Sequence, residues 1–436
     1  MNEATLKKAA KEAFWALVVF IVLSYAWKYS ALVHPAELEF LGRLGFDSET
    51  VDADFLHNFR GKILIPLSVL SGLLFRGLLR ELEVDPAAID LTSTAWLLGS
   101  FALLSTQIAS GHQLATLGVI PAFWATLVSA RVIGMGAPNP LKLFLGGIVT
   151  GLSLSLAVFM AWESAIAIAL CGLYVLSTPL VRTRFMLAFV VGALPAAYLL
   201  MGQANWSLGE PPAIGLSLIT CAAILPAIYG AIVLFNRSSY RLGLLVVALI
   251  VVVFLVEPLA FIPVLPLLFV GAAIGADAGL HLALVQGALK GWLIGGILYH
   301  NVVNAVLGQA PEGNPLRGLI QELLNEGLVA PNLVSSYSEL EGPATLIPLG
   351  IILLVLCLAL IYSGSAWAHR VHPSFVWPIA AFFLAIFLGA ATQFGGKLTP
   401  ERQKTLVRTI GIWNKQESSL ASEARRTARQ LQEMGR

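Results

Sequence analysis

The chain has 436 residues, of which 57% are hydrophobic and only 12% charged, with a formal net charge of +2. Soluble domains carry roughly 25% charged residues, so this composition excludes an ordinary water-soluble enzyme, and the balanced charge gives no sign of a nucleic-acid partner. Cys171, Cys221 and Cys357 all fall inside apolar runs, which argues against a disulfide framework.

Apolar stretches recur from Phe14 to Leu388. Each is about 17–25 residues, enough to span roughly 30 Å of hydrocarbon. They are continuous rather than alternating, which predicts helices. The expectation is therefore an all-α, polytopic transmembrane protein of 12 or 13 spans. The predicted spans are 13–32, 63–79, 92–110, 113–130, 142–160, 163–180, 185–201, 213–235, 242–256, 259–276, 289–307, 344–364 and 374–394.

Lys7, Lys8 and Lys11 precede the first run, which lacks a small-residue cleavage site and continues into Trp27-Lys28-Tyr29. It reads as a signal anchor with a cytoplasmic N-terminus. The first outer loop, 33–62, is then unusually acidic. It holds Glu37, Glu39, Asp47, Glu49, Asp52 and Asp54, followed by His57, Arg60 and Lys62. Alternation places Arg76, Arg80, Arg131, Lys142, Arg182, Arg184, Arg237 and Arg241 inside. The loops assigned outside, at 111–112, 162–163 and 202–212, carry no Lys or Arg.

Further along, Pro258, Pro263 and Pro266 predict a kinked or re-entrant segment, and residues 277–290 fit the inner surface. The polar stretch 309–343 is a second outer loop. The basic tail, 395–436, has nine Lys/Arg against four Glu from Lys397 onward, which favours the inside, whereas 13 spans put it outside; both counts stay open. One transmembrane domain, 1–394, thus precedes a basic tail.

Asp52-Ala53-Asp54 is the sharpest chemical signal. Two carboxylates one residue apart can share a divalent cation or a hydrogen-bond network in which one acts as general base. His57, Arg60 and Lys62 follow within eight residues of Asp54. A base beside cations suits transfer from a phosphorylated donor, because cations offset charge developing on the leaving phosphate. The bland alternative is an Asp N-cap opening a short interfacial helix, FLHNF. His112 reads as an interfacial cap or as a contact to a donor phosphate. Glu163 reads as an end-of-helix carboxylate reaching water, or as a second carboxylate facing the same cavity. His369 and His372 have no Cys or carboxylate at metal-ligand spacing, so no metal site is expected there.

A cytoplasmic N-terminus, one apolar helix and an acidic outer loop with D-x-D resemble the GT-C glycosyltransferases. Residues 114–134, LATLGVIPAFWATLVSARVIG, look like their fourth span. The stretch 140–200, from PLKLFLGGIVTGL to VVGALPAAYLL, looks like the fifth to seventh, and VEPLAFIPVLPLLFVGAAIGA like a later proline-rich helix. The likeness is one of pattern and spans roughly residues 13–275. It implies a multi-spanning enzyme that takes sugar from a polyprenyl-phosphate carrier, in contact with membrane lipid, with no organic cofactor. By the resemblance, Asp52 or Asp54 matches the base, with Asp47 and Glu49 as neighbours. The chain departs from the pattern at Leu259-Ala260, where the family usually carries a basic residue and an aromatic. It departs again at Gly111-His112, where several branches place a carboxylate. A non-catalytic scaffold of the same descent and a transporter of lipid-linked oligosaccharide or solute are the alternatives.

Overall fold

The computed structural model describes residues 3–28, 40–46, 53–106, 111–136, 139–202, 223–237, 239–256, 258–278 and 293. In chain order these form α1 (Glu3–Lys28), α2 (Ala53–Phe59), a π turn (Arg60–Leu64) and α3 (Ile65–Glu81). Then come α4 (Pro86–Leu98), α5 (Phe101–Ser105), α6 (Gly111–Gly134), α7 (Pro140–Met160), a 3-10 turn (Trp162–Ser164) and α8 (Ala165–Ser177). A second 3-10 turn (Pro179–Arg182) leads to α9 (Arg184–Met201), followed by α10 (Ile224–Asn236) and α11 (Tyr240–Leu255). The described part closes with α12 (Pro258–Phe261), a 3-10 turn (Ile262–Val264) and α13 (Leu265–Asp277).

Among the described residues, four stretches are long and apolar enough to cross a membrane: Arg60–Glu81, Gly111–Gly134, Pro140–Met160 and Arg184–Met201. Their surfaces carry exposed Leu145, Leu152, Leu187, Leu194 and Tyr198. Such bare apolar faces belong in lipid, where solvating them costs nothing. The all-α, multi-spanning character expected from composition is therefore observed. Spans predicted at 289–307, 344–364 and 374–394, the loop 309–343 and the tail 395–436 lie outside the described residues.

Three of the described helices start where sequence supplies a side-chain cap. The Asp85 carboxylate accepts from the Ala87 N–H at 2.8 Å, with Pro86 at the first helical position of α4. The Asn139 side chain accepts from Leu141 at 2.9 Å, and Thr183 accepts from Phe185 at 3.2 Å. Each satisfies an amide that a helix start leaves unpaired.

All three caps lie at one end of the bundle, which we call the basic end. There Arg76, only 1% exposed, donates to both Glu12 oxygens at 2.6 and 2.9 Å, to Asp90 at 2.7 Å and to Ser93 at 2.9 Å. Its guanidinium also stacks 4.5 Å over the Trp15 ring. Arg80 pairs with Glu12, and Lys11 with Asp90 at 2.8 Å. Arg131 pairs with Glu81 at 2.7 Å, and Asp277 accepts from the Asp85 amide at 3.0 Å. These contacts tie α1, α3, α4, α6 and α13 together at the end where sequence alternation gathers its cations.

Two spans differ from expectation, and a third resolves an open alternative. The run 63–79 is part of a helical stretch from Ala53 to Glu81, interrupted only by the π turn. The run 92–110 breaks after Leu98, because Ser100 donates its hydroxyl to the Trp96 carbonyl and accepts from the Ala102 amide at 3.2 Å. A serine bonded to both sides diverts the backbone from the helical ladder. The proline-rich segment is kinked at Ile262–Val264 but runs on to Asp277 at the basic end, so it crosses the bundle rather than re-entering.

The most extensive helix contact joins α7 and α9. Gly147 and Gly151 face Ala188 and Gly192, and a Cβ on Gly151 would lie 2.5 Å from the Phe189 carbonyl oxygen. Small residues four apart let the backbones approach closely. Ser155 then donates to the Gly192 carbonyl at 2.9 Å and accepts from Ala196 at 3.2 Å.

Candidate functional site

Opposite the basic end, a small apolar cluster of Phe40, Leu41, Leu56, Phe59, Leu64 and Leu114 joins residues 40–46 to the bundle. Phe46 lies 5.1 Å from Phe55, Phe55 stacks 6.2 Å from Phe59, and Phe59 meets Phe40 edge-on at 6.4 Å. The aromatic ladder fixes 40–46 against α2, and Leu114 ties both to the start of α6. A stretch that composition marks as a polar loop is thus anchored by its few aromatics.

At this end His112 and Glu163 come together. His112 sits in the first turn of α6, 92% buried, with Nε2 3.2 Å from the Glu163 Oε1. Gly111 makes this approach possible: a Cβ there would collide with the Met160 carbonyl and press on Phe40. Glu163 occupies the 3-10 turn after α7, its side chain only 13% exposed. Glu163 is therefore largely buried, and His112 lies against it.

The pair is close but incompletely bonded. Its Nε2–Oε1 contact is close without hydrogen-bond alignment, and His112 Nδ1 and Glu163 Oε2 have no partner among the described residues. Beside them, Gln113 Nε2 and Ser164 Oγ are buried with no partner among the described residues, although Ser105 donates to Gln113 Oε1 at 3.2 Å. Buried polar atoms without partners each cost about 1–3 kcal/mol, so several at one place suggest a site that binds water or ligand. Burial alone pushes the Glu163 carboxyl up. The His112 charge and contact, a backbone hydrogen bond and the Arg43 charge outweigh it and hold the carboxyl below the ordinary range.

The predicted residues fare unequally. Arg60 is 4% exposed, turned into the bundle from the π turn, whereas Lys62, two residues on, is exposed. These two cations do not converge. Asp54 and His57 lie on α2, at the same end of the bundle as His112 and Glu163. Asp47 and Asp52 fall outside the described residues. Sequence reasoning missed Arg43, Gln113 and Ser164. The available signals were a lone cation in an acidic stretch, FLGRLGF, and polar residues directly after His112 and Glu163 in otherwise apolar surroundings.

No protein family matches the sequence, and no curated protein does. Two crystal structures of ArnT from Cupriavidus metallidurans resemble this chain, one bound to undecaprenyl phosphate and one in the apo state. Both are 16% identical, with TM-scores of 0.45 and 0.44. The matches cover 93% and 94% of this chain and 77% and 78% of ArnT. Neither likeness is close enough to assign a residue role.

Proposed function

We propose that the chain is an integral-membrane glycosyltransferase that moves a sugar from a polyprenyl-phosphate carrier to an acceptor at the acidic-loop end. The observation that carries this reading is the buried His112–Glu163 pair with its unsatisfied polar atoms, at the bundle end that bears Asp54 and Arg60. Polar groups with spare donors and acceptors, beside cations and next to a carboxylate-rich segment, suit a ligand that carries both hydroxyls and phosphate.

In the proposed reaction Asp52 or Asp54 takes the proton from an acceptor hydroxyl. That oxygen attacks the anomeric carbon of the donor sugar, and the bond from this carbon to the phosphate oxygen breaks. Polyprenyl phosphate departs with the bonding electrons. Arg60 and His112 offset its charge, while exposed Lys62 draws the anionic carrier to the membrane boundary. Glu163 holds the imidazole, and Asp47 and His57 are assigned to the acceptor. The scheme needs no organic cofactor, although the Asp52/Asp54 pair can accommodate a divalent cation. The acidic-loop end is extracytoplasmic in this reading, and the membrane is a bacterial inner membrane.

Purified protein supplied with polyprenyl-phosphate sugars tests the assignment. A positioned base contributes about 10²–10⁴-fold to rate, so Asp52→Asn or Asp54→Asn is expected to reduce transfer by at least about 100-fold. Undiminished transfer in both variants would remove the base from this segment.

A further inference from the structure

At the basic end, the ends of α3, α6, α8 and the start of α11 enclose a cavity of about 590 Å³. This lies within the size range of small-molecule sites, roughly 300–1,000 Å³. Its wall is mixed. Leu82, Leu127, Ile133 and Leu242 supply an apolar side, and Arg131 and Arg241 supply two guanidiniums. The two cations differ in state. Arg131 is committed to the Glu81 carboxylate at 2.7 Å and the Glu81 carbonyl at 2.6 Å, with Glu83 3.8 Å away.

Arg241 has no carboxylate partner among the described residues. Its guanidinium lies 5.3 Å from the Tyr240 ring, and its Nε is buried without an acceptor among the described residues. A guanidinium donor sealed from water without an acceptor is costly. Ser239, at the cap position of α11, makes no capping bond with its side chain, so its hydroxyl also remains available in the cavity wall. Glu81 is the acidic group in the lining, and Arg131 offsets it.

We propose that this cavity binds a phosphate group, with the Arg241 guanidinium as its principal donor and the leucine-rich side receiving an apolar body attached to it. Two sources share that chemistry: the headgroup of an anionic lipid and a soluble phosphate. The geometry favours the lipid. Arg131 and Arg241 sit at helix ends, the depth at which lipid phosphates lie and at which Arg side chains meet them. The site is at the opposite end of the bundle from His112 and Glu163, so it does not depend on the proposed sugar transfer.

The test uses the full chain in neutral detergent, titrated calorimetrically with short-chain phosphatidic acid, with diacylglycerol of the same chain length, and with inorganic phosphate alone. Saturable binding of phosphatidic acid at least about tenfold tighter than diacylglycerol is expected. Arg241→Gln and the cavity-filling Ala130→Trp should each weaken it about tenfold or more, and Arg241→Lys less. If inorganic phosphate binds as tightly as phosphatidic acid, the phosphate site stands and its ligand is the soluble species. Equal binding of phosphatidic acid and diacylglycerol, no binding of any phosphate, or unchanged binding in Ala130→Trp overturns the proposal. The comparison of ligands on the unaltered protein decides the matter even where Arg241→Gln does not fold.

Discussion

At the scale of the residue, the same side chain has very different worth at different depths. Arg76 is 1% exposed and serves Glu12, Asp90, Ser93 and Trp15 at once. Removing one member of a buried pair strands the others, at about 3–5 kcal/mol. Arg76→Leu is therefore expected to lower the melting temperature steeply, and Arg76→Lys to restore little, because an ammonium cannot serve two carboxylates in a fork. The Arg131–Glu81 pair is 40% and 31% exposed on its two sides, and Arg131→Gln should cost no more than about 1 kcal/mol. Equal losses in thermal melts of the two variants would contradict this ranking.

Glu163 gives a prediction in pH. Its carboxyl is held below the ordinary range in the folded protein, so the folded state binds fewer protons than the unfolded chain as the pH falls. Its contribution to stability is complete above the unfolded value and disappears as the pH drops through the depressed folded value. Glu163→Gln should flatten that part of the acid limb in melting temperature against pH. An acid limb identical to that of the unaltered protein would disprove the linkage.

At the scale of the element, close helix packing rests on missing side chains. On the α7–α9 seam a Cβ at Gly151 would lie 2.6 Å from the Gly192 carbonyl carbon and 2.7 Å from the Ala193 amide nitrogen. Backbone cannot yield as a flexible side chain does, and overpacking costs about 1–3 kcal/mol. Gly151→Val is expected to destabilise the protein by that order and to break the Ser155 bridge. Gly172→Ala, on a helix face with open space, should be neutral in the same denaturation assay.

Helices were legible in sequence because continuous apolar runs leave few alternatives in lipid. Their interruptions were not. The break after Leu98 depends on one serine hydroxyl bonding to both sides of the chain, and hydropathy does not register hydroxyl direction. The His112–Glu163 pair was half legible: both residues stood out as polar at helix ends. Their meeting depends on Gly111 admitting the Met160 carbonyl, a contact between residues about 50 positions apart that no local pattern encodes.

At the scale of the whole molecule, the ion pairs at the basic end support the alternation read from sequence. Arg76, Arg80 and Arg131, all assigned inside, are gathered with the Lys11 end of α1 and with Asp277. By the cation bias this end is expected to be cytoplasmic. In a cysteine-free background, a single cysteine at Asn139 should be labelled by a membrane-impermeant maleimide only after the cells are opened. One at Asp47 should be labelled on intact spheroplasts. The reverse pattern would invert the topology and move the acidic loop to the cytoplasm.

The π turn at Arg60–Leu64 has a consequence of angular phase. The buried positions of α3 (Leu79, Arg76, Gly72, Ser68 and Ile65) recur at helical spacing. Continued backwards at the same period, that line would bury Gly61 and position 57 or 58. Instead Arg60, Phe59 and Leu56 are buried, while Asn58 and Lys62 face outward. The extra residue in the π turn slips the helix by about one position, or roughly 100°. A helical wheel drawn through residue 60 therefore superposes two unrelated faces. The segment carrying position 54 takes its bearing from this one inserted residue rather than from the membrane helix it leads into.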